Sequence, residues 1–322
     1  MRVGILGTGH MGNTHARHYR KMPEVKVGYH DRHPERGESF RERWDAECCK
    51  SSEELIAWAD VIDICLPTDL HVEYSLKAIA AGKAVFLEKP IARTMEDGLT
   101  IVNAAESAGV PLMVGQVLRF FPDYRKAREL VLSGAIGKPA AARMRRGGPA
   151  PSGLNYWFQD LERSGGVLLD LVIHDFDWLR WTLGEVKHVY ARSLAATRHT
   201  GTDYALTTLT FENGCVAHVE GTWMDPGGFR TTFEVAGSEG LIEFDSRTTP
   251  PLRVCKQGSS FNDASHAAEL DPYYLELKGF LDAVSSGAKP PVTGEDALRA
   301  LAISLAAIES SKTDRLVQPI QP

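Results

Sequence analysis

Three glycines, Gly7, Gly9 and Gly12, follow directly on the apolar run Val3, Ile5, Leu6, where a first strand would hand over to a first helix. The Gly-x-Gly-x-x-Gly spacing gives each a separate role. Gly7 allows a tight turn, Gly9 lets the backbone approach a ligand, and Gly12 lets helix and strand pack closely. Asp31 lies nineteen residues beyond Gly12, where a second strand should end. Together these features predict a βαβ unit that binds a dinucleotide, its pyrophosphate facing the free amides of the helix N-terminus. His10 and Met11 sit inside the same turn and belong to the expected cofactor loop.

The surrounding pattern fits that start. Strand signals at 2–6, 25–30, 61–66, 84–88 and 111–115 alternate with helical patterns near 11–21, 33–44, 52–58, 70–81 and 95–108. Short apolar strands separated by helices predict a doubly wound parallel sheet, a Rossmann domain over residues 1–118. Beyond it the spacing predicts a helix over 123–133, a strand over 138–146, a Gly/Pro loop over 147–153 and a helix from about 165 to 183. Residues 186–256 read as antiparallel strands, with a hairpin at Asn213-Gly214 and a second turn at Ser238-Glu239-Gly240. Residues 257–268 are small and polar, a mobile loop, and helices over 272–286 and 294–310 follow. The expected class is α/β: a Rossmann domain, then over 119–322 an α+β domain for substrate binding and oligomerisation, with a large, mostly antiparallel open sheet. A chain of 322 residues has room for both cores.

Composition excludes several partners. A net charge of −6 argues against nucleic acid, which needs a basic face. No apolar run is long enough for a bilayer. The chain enters the glycine turn too soon for a cleaved signal peptide. The five cysteines, Cys48, Cys49, Cys65, Cys215 and Cys255, are odd in number and lack metal-type spacing, so they read as reduced thiols of a cytoplasmic protein. Cys65, in the apolar run 61–66, reads as a core residue.

Three further groups carry chemistry. A carboxylate at Asp31 can accept the ribose hydroxyls and repel a 2′-phosphate, which favours NAD; Arg32 beside it leaves NADP open. In Glu88-Lys89-Pro90, proline restricts Lys89 to extended geometry at the end of a strand, where its ammonium can stabilise negative charge on a substrate oxygen. Asp170 and His174, four apart on the expected helix, share a face, with the imidazole as proton acceptor. A metal half-site there lacks a third ligand, and no metal is expected. Asp175 and Asp177 read as solvated carboxylates.

With these residues in view, the chain resembles the glucose–fructose oxidoreductase, inositol dehydrogenase and MocA-like family of NAD(P)-dependent oxidoreductases. The resemblance rests on segments in order along nearly the whole length: 3–12, Pro67-Thr68-Asp69-Leu70-His71, 80–90 with Glu88-Lys89-Pro90, Arg119-Phe120, Gly165-Gly166 through Asp170 to His174, and 291–297. It implies that Lys89 binds and polarises the reacting oxygen, that His174 is the acid/base, and that Asp170 holds substrate hydroxyls. It also implies that Pro67, Thr68, His71, Glu88 and Gln116 lie along the cofactor, that Arg119 lies with the substrate, and that the Lys89-Pro90 bond is often cis. The activity it implies is hydride transfer between a nicotinamide and a secondary alcohol of a sugar, polyol or cyclitol, by a homo-oligomer (dimer or tetramer) joined through the open sheet. The alternatives are a glycoside-cleaving enzyme that oxidises its substrate transiently and a non-catalytic dinucleotide-binding regulator.

The chain departs from relatives at Val172, where many carry glycine and where a side chain would crowd substrate or tilt the helix, and at Asp314. Arg143 and Arg145 share a strand face and either meet an anionic substrate or, with Arg146, protect a solvated edge strand. Tyr156 and Trp157 either stack on a sugar ring or serve as core or interface aromatics. His10 approaches the cofactor, while His15 and His18 read as helix-face residues.

Overall fold

The computed structural model describes residues 1–151, 153, 157–158, 160–195, 203–249, 251–256, 259–263 and 271–322, the side chains of 259–263 excepted. It divides into two units, Met1–Val117 with Leu270–Leu298, and Leu118–Glu269 with Arg299–Pro322.

In the first unit the strands are β1 (Arg2–Leu6), β2 (Lys26–His30), β3 (Glu47–Cys48), β4 (Val61–Ile64), β5 (Ala84–Leu87) and β6 (Leu112–Val114). They form a six-stranded sheet in the order β3-β2-β1-β4-β5-β6, every pair parallel. The helices between them are α1 (His10–Tyr19), α2 (Pro34–Trp44), α3 (Ser52–Trp58), α4 (His71–Ala80) and α5 (Met95–Ala108). Their ends follow local chemistry. Ser51 and Thr94 cap α3 and α5 by accepting the amides of Glu54 and Asp97, and α5 stops at Gly109 with φ +64°. The edge strand β3 gives no signal in the sequence because two residues are too few to show a period.

The second unit holds α6 (Pro122–Leu132), β7 (Pro139–Gly147), α7 (Leu161–Ser164), α8 (Ile173–Leu183), β8 (Val186–Leu194), β9 (Tyr204–Phe211), β10 (Val216–Thr222), β11 (Arg230–Gly237), β12 (Gly240–Asp245), β13 (Leu252–Lys256) and β14 (Ser259–Asp263). Its eight strands run in the order β14-β13-β12-β11-β7-β10-β9-β8 and are antiparallel except for β7 and β10. One face packs on α6 and α8, where Tyr124, Trp178, Phe233 and Phe244 are buried together. The indole nitrogen of Trp178 donates to the Tyr124 carbonyl at 3.0 Å, so this apolar centre leaves no indole donor unmet.

Three expectations are corrected. The expected helix 165–183 is broken: α7 ends at Gly165 and Gly166, both with positive φ (+79° and +65°), a π-helical turn spans Val167–Leu171, and α8 begins at Ile173. Gly165 ends α7 and Gly166 begins the π-helical turn, so the pair both stops one helix and starts the next. Strand β7 lies in the interior of its sheet, so its arginines guard no edge. Within the expected loop 257–268, Ser259–Asp263 pair with β13. Helix α9 (Pro272–Ser286) lies in the first unit, where Phe280 packs on Phe86 at 5.7 Å between ring centroids. The last helix, α10 (Gly294–Thr313), carries residues of both units.

Candidate active site

The carboxyl ends of β1, β2, β4, β5 and β6 gather the expected cofactor residues on one rim of the first unit, as a doubly wound sheet requires. The glycines divide their labour as their spacing implies. Gly7 has φ +93°, and a Cβ there would stand 2.8 Å from the Cys65 carbonyl oxygen; a Cβ on Gly12 would stand 2.1 Å from the Gly7 oxygen. These two are demanded by the fold. A Cβ on Gly9 would meet only the Arg36 guanidinium, at 3.3 Å. Gly9 also begins α1 with no side-chain cap, leaving first-turn amides without intrahelical partners. A backbone cradle with unshared N–H groups suits a pyrophosphate. Asn13 braces the cradle, donating to the Thr8 and Gly9 carbonyls at 2.9 Å each and accepting from the Trp44 indole at 2.8 Å. His10 is exposed at the turn, and Met11 is half-buried.

Asp31 is held in place. Its carboxylate accepts from the Thr8 hydroxyl at 2.6 Å, the Thr8 amide at 2.9 Å and the His33 amide at 2.8 Å. Burial works to raise its pKa, but the Thr8 and His33 hydrogen bonds and Arg36 outweigh this and leave it below the ordinary carboxylate value. The anion is therefore secure at neutral pH. Arg32 is exposed, whereas the Arg36 guanidinium lies 3.7 Å from Asp31. Arg36 and Thr8 carry no signal in the sequence, because neither lies in the glycine motif's fixed positions.

The loops after β4 and β5 are tied by His71. Its ring is buried, with Nδ1 2.8 Å from the Pro90 carbonyl and Nε2 2.9 Å from the Leu66 carbonyl. Burial holds its pKa below the ordinary value despite both carbonyls. The ring, neutral at pH 7, has one proton to donate to one of these two carbonyls and lies packed between both segments. Thr68 is buried, and Pro67 precedes the short turn Thr68–Leu70. The Lys89-Pro90 bond is cis. Glu88 is buried and accepts the Lys89 amide at 3.2 Å. Gln116 is also buried, and neither atom of its carboxamide has a hydrogen-bond partner among the described residues. A buried carboxamide so placed suits a polar ligand group.

In the second unit the π-helical turn carries Asp170, which is buried, while His174 lies in the first turn of α8 and is half-buried. The two therefore straddle a helix junction, and the regular i, i+4 relation expected of one α-helix does not apply. Ser164 pins the preceding turn, donating to the Phe158 carbonyl at 2.7 Å and accepting the Gly166 amide at 3.0 Å.

The carboxylates expected to be solvated are buried ion-pair partners. Asp177 takes Arg119 at 2.8 and 2.6 Å, and Asp175 takes Arg146 at 2.7 and 2.9 Å. Arg119 thus spends two nitrogens on Asp177 and rests over the Trp181 ring at 5.2 Å. Val172 has its space in the sheet. It is buried against Gly221 of β10, where an added Cβ would come within 2.4 Å of it.

Arg143 pairs with Glu234, and Arg145 with Glu220 at 3.2 Å and Asp225 at 3.0 Å. Those arginines line a cavity with His218, Glu243 and Arg253 to which none of the expected catalytic residues contributes. Trp157 stacks on Phe158 at 3.9 Å between centroids, and Tyr156 lies outside the described residues. His15 and His18, expected on a helix face, are both fully buried. Asp314, at φ +56°, accepts the Tyr190 hydroxyl and pairs with Arg192.

Comparison with known proteins agrees with this geometry. Residues 1–116 match the family described as oxidoreductase, NAD-binding Rossmann fold, and residues 124–243 match the GFO/IDH/MocA C-terminal domain. The chain is 32% identical to myo-inositol 2-dehydrogenase of Thermotoga maritima, over 99% of this chain and 98% of the relative. It is 28% identical to 2,7-anhydro-N-acetylneuraminate hydratase of Escherichia coli, over 98% and 96% of the two. Among solved structures, levoglucosan dehydrogenase in complex with NADH superimposes with a TM-score of 0.91 at 24% identity, each chain covered fully (100%).

Proposed function

Because the chain belongs to the GFO/IDH/MocA family of NAD-binding oxidoreductases, we propose that it oxidises a secondary alcohol of a cyclitol, polyol or sugar. It is an NAD(P)-dependent oxidoreductase. The observation that carries the reading is the rim of the first unit, where the Gly9 cradle, the fixed Asp31 anion and Lys89 all stand at carboxyl ends of one parallel sheet. Gly7, Gly9, His10, Met11 and Gly12 would hold the pyrophosphate, Asp31 the adenosine ribose, and Pro67, Thr68 and Gln116 the nicotinamide end. When bound, the nicotinamide supplies a hydride acceptor. In the oxidative direction His174 takes the proton of the reacting hydroxyl. The Lys89 ammonium donates to the same oxygen and stabilises the negative charge that grows there, and Asp170 accepts from a neighbouring hydroxyl. Arg119 and His71 act through what they hold, Asp177 and the Pro90 carbonyl.

The cyclitol reading is supported by the Thermotoga relative; the second reading, NAD-dependent glycoside cleavage through transient oxidation, is compatible with a relative named as a hydratase of an anhydro-sugar. A homo-oligomer joined through the open sheet is supported by exposed Tyr190, Leu194 and Leu206 on one face of β8 and β9. A cytoplasmic location is supported by five free thiols. No helix of the described residues is long and apolar enough to cross a membrane.

The test is NADH formation by native protein and Lys89→Ala against inositols, aldoses and anhydro-sugars. Turnover that is lost in the variant while NAD binding persists supports the dehydrogenase. Product formed without net NADH moves the protein to the second reading. NAD binding with no turnover of any kind would leave only a regulator.

A further inference from the structure

Behind the rim of the first unit lies a buried polar cluster that hydride transfer itself does not use. His15 of α1 is wholly out of solvent, with Nδ1 2.9 Å from Asp63 Oδ2 and Nε2 3.2 Å from Glu88 Oε1. Nδ1 is hydrogen-bonded to Asp63, while Nε2 meets Glu88 at ion-pair distance without hydrogen-bond geometry; a carboxylate beside each nitrogen favours the ring that carries a proton on both. Cys65 Sγ stands 3.3 Å from His15 Nδ1 and donates to Asp63 Oδ1 at 3.3 Å; burial pushes its thiol well up, so it stays protonated. Phe86 closes one side with its ring edge-on at 5.4 Å, and Tyr273 of α9 another at 6.4 Å. The other titratable neighbours are Tyr19 and His18 on α1, Glu276 on α9, and Asp271 at the cap of α9.

The second oxygen of Glu88 accepts the backbone amide of Lys89 at 3.2 Å. A Cβ on Gly115 would stand 3.2 Å from Glu88 Oε1, so the backbone after β6 confines the same carboxylate. Asp63, His15, Glu88 and the Lys89 amide therefore stand in line from the sheet interior to the proposed catalytic lysine, hydrogen-bonded at both ends and joined at its middle by the ion-pair distance between His15 and Glu88.

We propose that His15 is a positioning residue: an imidazolium locked between Asp63 and Glu88 that fixes Glu88 and, through it, the backbone from which the Lys89 side chain reaches its substrate. This rests on the reading of Lys89 as catalytic. Burial opposes a charged ring, but the Asp63 carboxylate outweighs it and holds the His15 pKa well above its ordinary value. At neutral pH the clamp is closed, and it opens only when alkali removes a ring proton. Loss of that proton removes the cation beside Glu88 Oε1, so the carboxylate that accepts the Lys89 amide is no longer anchored to the sheet interior.

Nitrogen NMR of protein labelled at histidine tests the clamp without reference to turnover. The expected spectrum shows one histidine, absent from His15→Gln, with both ring nitrogens protonated at neutral pH. A ring with one unprotonated nitrogen at that pH would overturn the proposal. Glu88→Gln keeps the side chain's shape and removes its charge, so the same ring should then lose its proton at lower pH; an unmoved titration would also overturn it. For turnover, His15→Gln should lower kcat by roughly tenfold to a hundredfold with NAD affinity unchanged, the scale of a misplaced catalytic group. It should also remove the alkaline fall that native turnover shows as the ring deprotonates. If Lys89→Ala is fully active, the catalytic reading fails while the spectrum still decides whether the clamp exists.

Discussion

Arg146 of β7 closes on Asp175 of α8 through two hydrogen bonds of 2.7 and 2.9 Å, and both side chains are almost fully removed from water. Two residues on, Asp177 receives Arg119 in the same bidentate way. The helix that begins beside His174 is thus fastened by two carboxylates, each with a planar partner that matches it. Breaking such a pair leaves a charge stranded in the interior. Asp175→Asn should therefore cost about 3 kcal/mol or more, read as a lower denaturant midpoint. Replacing both partners by apolar residues, Arg146→Met with Asp175→Leu, should restore most of that loss. A double variant no better than the single would show that the pair's hydrogen bonds, not its stranded charge, set the cost.

The glycine turn separates what the fold needs from what the cofactor needs. Gly12→Ala would drive a Cβ to 2.1 Å from the Gly7 oxygen, so β1 and α1 would have to part. Gly9→Ala meets only the movable end of Arg36. The expected result is a Gly12→Ala protein with a lowered melting temperature and a Gly9→Ala protein that melts like the native chain yet binds NAD at least tenfold more weakly, a loss of about 1.4 kcal/mol. Equal melting losses in both would remove Gly9 from the ligand cradle.

This division explains how much the chain discloses of itself. Gly7, Gly9 and Gly12 are legible because their spacing encodes backbone geometry within one turn, and Asp31 because strand β2 ends a fixed distance on. Asn213-Gly214 announces its hairpin by the same local logic. Asp175 and Asp177 look solvated in the sequence because their partners, Arg146 and Arg119, lie 29 and 58 residues away, and no local pattern records that distance. Gly165-Gly166 offers helix start and helix stop alike, and the structure uses both, Gly165 to end α7 and Gly166 to begin the π-helical turn. Val172 looks like an intrusion until Gly221, on another strand, proves to be the space that receives it. His15 and His18 are hidden because helical periodicity marks a face, not the polar cluster that face meets.

Cofactor choice turns on the contest at the end of β2. The Asp31 anion opposes a 2′-phosphate, while Arg32 and Arg36 stand ready to receive one. Asp31→Ser removes the repulsion and leaves both guanidinium groups. The ratio of kcat/KM for NADP over NAD should rise by at least about tenfold, and Arg36→Ala in that background should take most of the gain away. A gain that survives Arg36→Ala but falls with Arg32→Ala would assign the phosphate to the exposed arginine instead. In the native protein Asp31 has a lowered pKa, so its contribution to stability is present above its unfolded value of 3.8 and is lost as pH falls through the folded value.

His18 sets an acid slope that can be isolated from those carboxylates. Its ring is buried, and burial, reinforced by Lys21, Arg17 and His15, pushes its pKa down to about 4 from 6.5 despite Asp271 at 3.3 Å. Above pH 6.5 neither the folded nor the unfolded ring binds a proton, and His18 adds no pH dependence. Between 6.5 and about 4 the unfolded chain takes up a proton that the folded chain refuses, so stability falls as pH falls, and the slope ends below that window. His15 has the opposite sign: with a raised folded pKa, its contribution is fully present below 6.5 and is lost only as pH rises through the folded value. Across the window His15 is therefore constant, and the histidine slope is shared by His18 and His71, whose pKa burial also lowers; the His18 share is what a variant at that position removes. Denaturant midpoints measured from pH 7 to pH 4.5 should decline in the native protein and decline less in His18→Gln. Parallel curves for the two proteins would mean that the buried ring is already charged in the folded state, paired with Asp271.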